Sequence, residues 1–242
     1  MHTYFLSDLH LNHQQPHITA AFIRFLNEQA PSAESIYILG DLFEYWIGDD
    51  AIDELDVCHI LSAMHKLSQK VRCYFIAGNR DFLVRQRFSQ QTGFTILADE
   101  TVIDLYGTPT LILHGDSLCV DDIKHQQFRQ NFVLNKMVCD LVLTKPVKER
   151  LQLAQQARAK SQSNKRPMND QIMDVSESAV IAAFKKHKVM QMIHGHTHRQ
   201  KLHSHELGNA TASRHVLGDW HSSSSILTAS ATGLSISNSP IG

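Results

Sequence analysis

The stretch TYFLSDLHLN, from Thr3 to Asn12, decides how the rest of the chain is interpreted. It opens with a short apolar run that is rich in strand-forming residues and too short for a helix, which predicts a buried β-strand. Asp8 and His10 follow at a spacing of two, so an acid and an imidazole can point from the carboxyl end of this strand into one crevice. A single D-x-H pattern is a weak signal, and its weight comes from four later strand ends that repeat the arrangement.

Composition places the chain among soluble globular proteins. It has 242 residues, of which 43% are hydrophobic and 19% charged, so it can bury a sizeable core. The formal net charge of −1 gives no overall field that would select nucleic acid. Four cysteines without a C-x-x-C pair indicate reduced thiols in a cytoplasmic protein. No signal peptide or membrane-spanning run is evident, so any membrane contact is expected to be peripheral.

Apolar runs and helical spacings alternate along the chain, which predicts an α/β fold built in layers. Helical spacing is present at 17–30 and 175–186. After the first strand, further strands that end in polar residues are predicted at 35–39, 73–77, 110–113 and 189–193. Two short strands near 215–217 and 225–228 are predicted to complete the sheet.

The segment 124–166 breaks this alternation. It contains ten Lys or Arg against two acidic residues and has apolar residues at largely helical spacing. One interpretation is a helical lid, inserted at about 124–170 into a single domain of residues 1–242, that closes over the strand ends. The other is a solvated helical hairpin with a basic face. The localised basic surplus favours the lid.

Polar side chains at five strand ends are predicted to line one crevice, because the carboxyl ends of strands in an open α/β sheet lie together. They are Asp8, His10, Asp41, Asn79, His114, His194 and His196. Carboxylate, imidazole and amide donors without thiolate favour Mn²⁺, Fe²⁺ or Zn²⁺, and Asp41 is the expected bridging acid. Two such ions ~3.5–4 Å apart can hold a phosphoryl group and activate water. His198 is interpreted as a residue outside the ligand shell or on the surface. The competing interpretation of the seven predicted ligands is that they are scattered polar residues at loop starts.

The ordered motifs D-x-H, G-D, G-N-R-D, H-G and G-H-x-H resemble those of the calcineurin-like dinuclear metallophosphoesterases. A closer resemblance, to the UDP-2,3-diacylglucosamine hydrolases of lipid A biosynthesis, rests on FLSDLHL, GDLFEYWIGDD, AGNRDFL, LHGDSLCVDD, IMDV and IHGHTHR. It implies an αββα sandwich with an inserted helical lid and two Mn²⁺ per chain. The implied reaction is hydrolysis of the pyrophosphate bond of UDP-2,3-diacylglucosamine to UMP and 2,3-diacylglucosamine 1-phosphate.

The resemblance also implies residue roles. One metal would be held by Asp8, His10, Asp41 and His196, and the other by Asp41, Asn79, His114 and His194. Catalysis would fall to Asn79 and Arg80, and substrate binding to Asn79, Arg80, Asp122, Ser161, Lys165 and His194. The Arg80 guanidinium cannot act as an acid at neutral pH, but it can hold phosphate oxygens in a bidentate fork. That suits a leaving phosphate monoester, which requires no protonation.

The partners implied are a lipid-linked nucleotide sugar as substrate and the inner leaflet of the inner membrane as a peripheral surface, with no nucleic acid and no obligate protein partner. Two other functions stay open. One is a dinuclear metallophosphodiesterase acting on another nucleotide or nucleic acid, although the neutral overall charge lacks the basic face of a nuclease. The other is a non-enzymatic scaffold, which would be expected to have lost ligands.

Overall fold

Two β-sheets pack face to face between helices in a computed structural model of the protein, which describes residues 1–165 and 174–241. The described strands are β1 (Thr3–Leu6), β2 (Ser35–Leu39), β3 (Arg72–Ile76), β4 (Thr95–Ile96), β5 (Glu100–Leu105), β6 (Thr108–Leu113), β7 (Gln191–His194), β8 (Lys201–Leu207), β9 (Ala210–Val216), β10 (Ile226–Ser230) and β11 (Gly233–Ser237). The described α-helices are α1 (Pro16–Glu28), α2 (Cys58–Ser68), α3 (Gln86–Thr92), α4 (Ile123–Phe128), α5 (Lys136–Leu143), α6 (Val147–Lys165) and α7 (Glu177–His187).

The strand order brings the predicted strand ends to one edge. The first sheet runs β11-β10-β1-β2-β3-β4, with β1 to β4 parallel. The second runs β5-β6-β7-β9-β8, with β6, β7 and β9 parallel. Since parallel neighbours end on the same side, the residues after β1, β2 and β3 meet those after β6 and β7. The predicted strands that carry the polar residues are therefore confirmed.

Alternation of side chains along each strand separates three apolar layers. Phe5, Leu39 and Ile76 of the first sheet pack against Ile112 and Ile193 of the second. The opposite face of the first sheet packs against α1, α2 and α3, and the outer face of the second packs against α7. This arrangement confirms the predicted αββα sandwich.

Residues 124–165, called the helical insertion here, contain α4, a π-helical turn (Arg129–Val133), α5 and α6. Helices were predicted for this segment, and its remaining predicted part, 166–170, lies outside the described residues. Among its described side chains, three arginines point inward to acids of the sandwich, and Arg129 and Arg150 are buried. The pairs are Arg129 with Asp99 and Asp116, Arg150 with Asp50, and Arg158 with Glu44. Part of the basic surplus therefore attaches the insertion to the sandwich rather than facing outward.

Within the described ranges 1–165 and 174–241, no helix has both the length and the apolar character needed to cross a bilayer.

Candidate metal centre

The loops after the strand ends hold a cluster of polar residues in left-handed backbone conformation. The φ angles are 57° at Asp8, 50° at His10, 52° at Asp41, 68° at His196 and 58° at His198. Such a conformation costs a non-glycine residue on the order of 1–3 kcal/mol and persists where the surroundings impose it, most often at functional sites. The strain thus marks one site formed from both sheets.

One group that could hold a cation consists of Asp8, His10 and His198. The Nε2 atoms of the two histidines lie 3.3 Å apart, and His198 Nε2 lies 3.4 Å from Asp8 Oδ1. Asp8 is fully buried, and its Oδ1 has no hydrogen-bond partner among the described residues. A buried carboxylate oxygen left unpaired beside two imidazole nitrogens fits a cation that would satisfy all three.

A second group consists of Asp8, Asp41 and His114. His114 Nε2 lies 3.6 Å from Asp41 Oδ1 and 3.1 Å from Asn79 Oδ1. The other ring nitrogen, Nδ1, donates to the Leu39 carbonyl at 2.8 Å, which fixes the tautomer and leaves the Nε2 lone pair for a cation. Asn79 is thus placed beside the cluster, as the sequence predicts.

His196 connects the two groups. Its backbone N–H donates to Asp8 Oδ2 at 2.8 Å, and its ring Nδ1 lies 3.2 Å from His114 Nε2. The sequence favours Asp41 as the acid shared by two metals, and that assignment stays a prediction, because in this arrangement Asp8 belongs to both groups.

His194 is not brought to this cluster, which corrects its predicted place among the ligands and the substrate contacts. Its Nδ1 donates to the Gly195 carbonyl at 2.8 Å, and its Nε2 accepts from Arg214 Nη1 at 3.0 Å. Both nitrogens are therefore occupied. The physical reason is strand parity: His194 is the last residue of β7 and shares the outer face of the sheet with Met192, which packs under α7.

His198 lies beside Asp8 and His10, in the place for which the sequence predicts His196. Its Nδ1 faces Asp219 Oδ2 at 3.3 Å, so a carboxylate orients the ring with Nε2 toward Asp8. The signal available in the sequence was the same parity: only residues beyond the end of β7, in the G-H-x-H turn, can enter the crevice.

The metal-free cluster carries protons on two histidines. Burial lowers the pKa of His198, but Asp8 and Asp219 together raise it to about 10. Burial also lowers the pKa of His114, while Asp41, Asp8 and Asp116 raise it to about 9. Burial and the charge of His114 hold the pKa of His196 well below its usual range. Two of the imidazoles that face the acids are thus protonated at neutral pH until a cation replaces their protons.

Filling both metal sites is therefore expected to release about two protons at pH 7.5, one from His198 and one from His114. Since each ion replaces one proton, the affinity for each ion is expected to rise about tenfold per pH unit below pH 9. Calorimetric titration of the metal-free protein with Mn²⁺ in buffers of different ionisation enthalpy measures the proton count. An affinity that does not change between pH 6.5 and pH 8 would contradict this assignment.

A cavity of about 1010 Å³ opens beside the cluster. Asp41, Asn79, Arg80, His196 and His198 lie at one end, and the helical insertion supplies one apolar wall. That wall is formed by Phe128, Phe132, Val142, Leu153, Ala154 and Ala157.

Apart from His194, the predicted substrate residues that the structure describes line this cavity. Arg80 lies along Asp41, with its backbone N–H donating to Asp41 Oδ1 at 2.9 Å and its Nε 3.7 Å from Oδ2. Asp122 and Ser161 line the cavity, and Asp122 also caps α4 by accepting from the His125 backbone N–H at 2.9 Å. The side chain of Lys165 lies outside the described part of the chain.

Glu44, His125 and Arg158 are among the cavity residues for which the sequence predicts no role. His125 packs against His196 with ring centroids 5.1 Å apart, and Arg158 pairs with Glu44. The composition shows only that the insertion is basic. The pair of Arg158 with Glu44 joins residues more than a hundred positions apart, so no local sequence pattern predicts it.

Comparisons with known proteins agree with this geometry. A family model described as calcineurin-like phosphoesterase matches residues 1–200. A UDP-2,3-diacylglucosamine hydrolase of Serratia proteamaculans (strain 568) is 48% identical over 241 residues, which cover 99% of this chain and 100% of that protein. The protein of the same name from Yersinia pestis bv. Antiqua (strain Angola) is 47% identical with the same coverage. Among solved structures, an archaeal phosphodiesterase matches with a TM-score of 0.50 at 13% identity over 99% of each chain, which supports the fold alone.

Proposed function

This chain belongs to the calcineurin-like phosphoesterases, a family of metal-dependent hydrolases, and from that premise we propose that it hydrolyses UDP-2,3-diacylglucosamine at its diphosphate bond. The products would be UMP and 2,3-diacylglucosamine 1-phosphate. The relatives that carry this name match along their whole length, so the helical insertion is part of what is shared.

The observation that carries the proposal is the shape of the cavity. It joins a cluster of carboxylates, imidazoles and an arginine to an apolar wall of the helical insertion within one volume of about 1010 Å³. A ligand that fits both ends needs a phosphate group and long apolar chains, and a diacyl nucleotide sugar has both.

Two Mn²⁺ ions are the proposed cofactors. Oxygen and nitrogen donors without thiolate suit Mn²⁺ as well as Fe²⁺ and Zn²⁺, and the resemblance to the UDP-2,3-diacylglucosamine hydrolases favours Mn²⁺. One would be held by Asp8, His10 and His198 and the other by Asn79, His114 and His196, with Asp41 as the predicted shared acid. When bound, such a pair supplies Lewis acidity at the phosphate oxygens and an activated water.

The chain's own groups would position the diphosphate. Arg80, whose Nε is buried and has no hydrogen-bond partner among the described residues, would hold phosphate oxygens. Asn79 would donate its amide N–H groups to the same phosphate. The leaving sugar phosphate departs as a stable anion, so the absence of an acid at Arg80 is no obstacle. Asp122 and Ser161, with Lys165 as a further prediction, would contact the sugar and acyl portions.

The direct test incubates the purified protein and Mn²⁺ with UDP-2,3-diacylglucosamine, bis-p-nitrophenyl phosphate and single-stranded DNA in parallel. UMP release from the lipid nucleotide at a kcat/KM far above those of the other two supports the proposal. Preference for the diester or DNA would replace it with a phosphodiesterase function.

Peripheral attachment to the inner leaflet of the inner membrane from the cytoplasmic side is also proposed. Met137 and Leu141, one turn apart on α5, are 83% and 64% exposed on the basic helical insertion. Changing both to Gln is expected to weaken binding to vesicles containing anionic lipid about tenfold, since each side chain loses part of ~1.5–3 kcal/mol of burial. Vesicle co-sedimentation measures this effect. The control is Leu202→Gln, 57% exposed on β8, and equal loss in both variants would contradict the proposed face.

A further inference from the structure

A line of four side chains runs across the outer face of the second sheet to the end of β7. Arg214 on β9 stands at its centre and donates from Nη1 to His194 Nε2 at 3.0 Å and from Nε to His205 Nε2 at 3.1 Å. His205 then donates from Nδ1 to Glu177 Oε1 at 2.7 Å. The two histidines and Arg214 are each at most 4% exposed, whereas Glu177 reaches the surface at the start of α7.

The directions of these hydrogen bonds are determined by Arg214. A guanidinium only donates, so His194 and His205 must both accept at Nε2 and carry their proton on Nδ1. His205 Nδ1 donates to Glu177, and His194 Nδ1 donates to the Gly195 carbonyl at 2.8 Å. Arg214 therefore fixes the tautomer and the ring orientation of His194.

The Gly195 peptide, whose carbonyl accepts from His194, immediately precedes the turn of the metal centre that carries His196 and His198. The Gly195 N–H donates to the His114 carbonyl at 2.9 Å, and the next N–H, of His196, donates to Asp8 Oδ2 at 2.8 Å. The space around Gly195 is so tight that a Cβ there would lie 2.3 Å from Asp8 Oδ2. A rotation of this peptide would displace the turn that carries His196 and His198, both in strained backbone conformation.

We propose that Arg214, ordered by His205 and Glu177, is a positioning residue for the metal centre, acting through His194 and the Gly195 peptide on the turn that carries His196 and His198. The inference rests on the metal centre proposed above. Burying a guanidinium is costly, and well-packed apolar residues often serve stability equally well. As a group outside the ligand shell that orients the ligands, Arg214 has a function that explains its burial better than packing does.

The test is Arg214→Met, which keeps the apolar volume and removes both donors. The expected result is a folded protein whose affinity for Mn²⁺ falls about tenfold, the lower end of the effect of losing an outer-shell partner. Calorimetric titration with Mn²⁺ and the rise in Tm that Mn²⁺ produces are the readouts. Arg214→Lys, which retains a donor, is expected to recover part of the affinity.

Arg150→Met is the matched control, because Arg150 is equally buried but donates to the Ile47 carbonyl and Asp50. It is expected to lower the Tm of the metal-free protein while leaving the Mn²⁺ affinity unchanged. Arg214→Met with reduced Tm and wild-type Mn²⁺ affinity would overturn the proposal and leave a packing role. If that variant does not fold, the exposed Glu177→Ala serves, because it removes the acceptor of His205 Nδ1. A loss of Mn²⁺ affinity smaller than that of Arg214→Met is expected, and an unchanged affinity would count against the proposal.

The outcome is separable from that of the proposed function. Wild-type protein that binds Mn²⁺ but releases no UMP would end the proposed reaction and leave the role of Arg214 intact.

Discussion

Replacing His198 by Ala is expected to abolish binding of one Mn²⁺ ion and to lower kcat by at least about a thousandfold, because one half of a two-metal site is lost. His198 Nε2 lies 3.4 Å from Asp8 Oδ1 and 3.3 Å from His10 Nε2, so its removal takes one of the three donors from this group. Metal content after dialysis against Mn²⁺ and the rate of UMP release measure the two effects.

His194→Gln is the informative partner variant. A Gln side chain can still accept from Arg214, and His194 is 0% exposed on the opposite face of the sheet from the crevice. This variant is expected to keep two Mn²⁺ equivalents at saturating Mn²⁺, because His194 does not ligate, with a loss of affinity no larger than the roughly tenfold loss expected of Arg214→Met, because His194 orients the Gly195 peptide. Loss of one equivalent in His194→Gln, with two retained in His198→Ala, would restore the assignment predicted from the sequence.

The contrast between these two histidines shows what a sequence motif can and cannot determine. The strands that carry Asp8, Asp41, Asn79 and His114 could be predicted, because short apolar runs ending in polar residues have few alternatives. The family motifs then placed the crevice. Which imidazole enters it depends on where β7 ends, and a shift of one residue in that end reverses the face of every side chain.

The helical insertion shows a second limit. Its basic composition and helical character were evident from the sequence, but a count of charges does not say which way they point. Arg129, Arg150 and Arg158 pair with acids that lie from 13 to more than 100 residues earlier in the chain. Such pairing depends on tertiary contacts, and only the structure separates the attaching arginines from the outward basic residues.

β5, which the apolar runs of the sequence do not predict, is peripheral to the site. β5 and β6 form a hairpin through Tyr106 and Gly107, whose φ angles of 54° and 88° give the turn a left-handed backbone. The alternation of 100–105 was a usable signal, but this segment ends in no candidate ligand. Since β5 pairs only at the sheet edge, its omission did not affect the predicted crevice.

Gly78→Ala is expected to empty the metal centre although it adds only one methyl group. A Cβ at Gly78 would lie 2.2 Å from Asp41 Oδ1 and 2.6 Å from the Asp41 backbone N, distances at which one of the two must move. The Gly78 N–H is held by Asp81 Oδ1 at 2.7 Å, and the Asp41 N–H lies 3.3 Å from the same oxygen, so neither backbone segment can yield alone.

The displaced group is then the Asp41 carboxylate, and both Mn²⁺ content and kcat are expected to fall at least about a hundredfold, together with ~1–3 kcal/mol of unfolding free energy from overpacking. Gly208→Ala is the control, because Gly208 has a φ of 70° and no atom near its would-be Cβ. It carries about 1–2 kcal/mol of backbone strain without touching the cluster. If both variants lose similar unfolding free energy while only Gly78→Ala loses Mn²⁺, the close approach of Gly78 to Asp41 shapes the site. Two Mn²⁺ equivalents retained in Gly78→Ala would show that Asp41 can shift without cost to metal binding, and the ligand assignment would have to be revised.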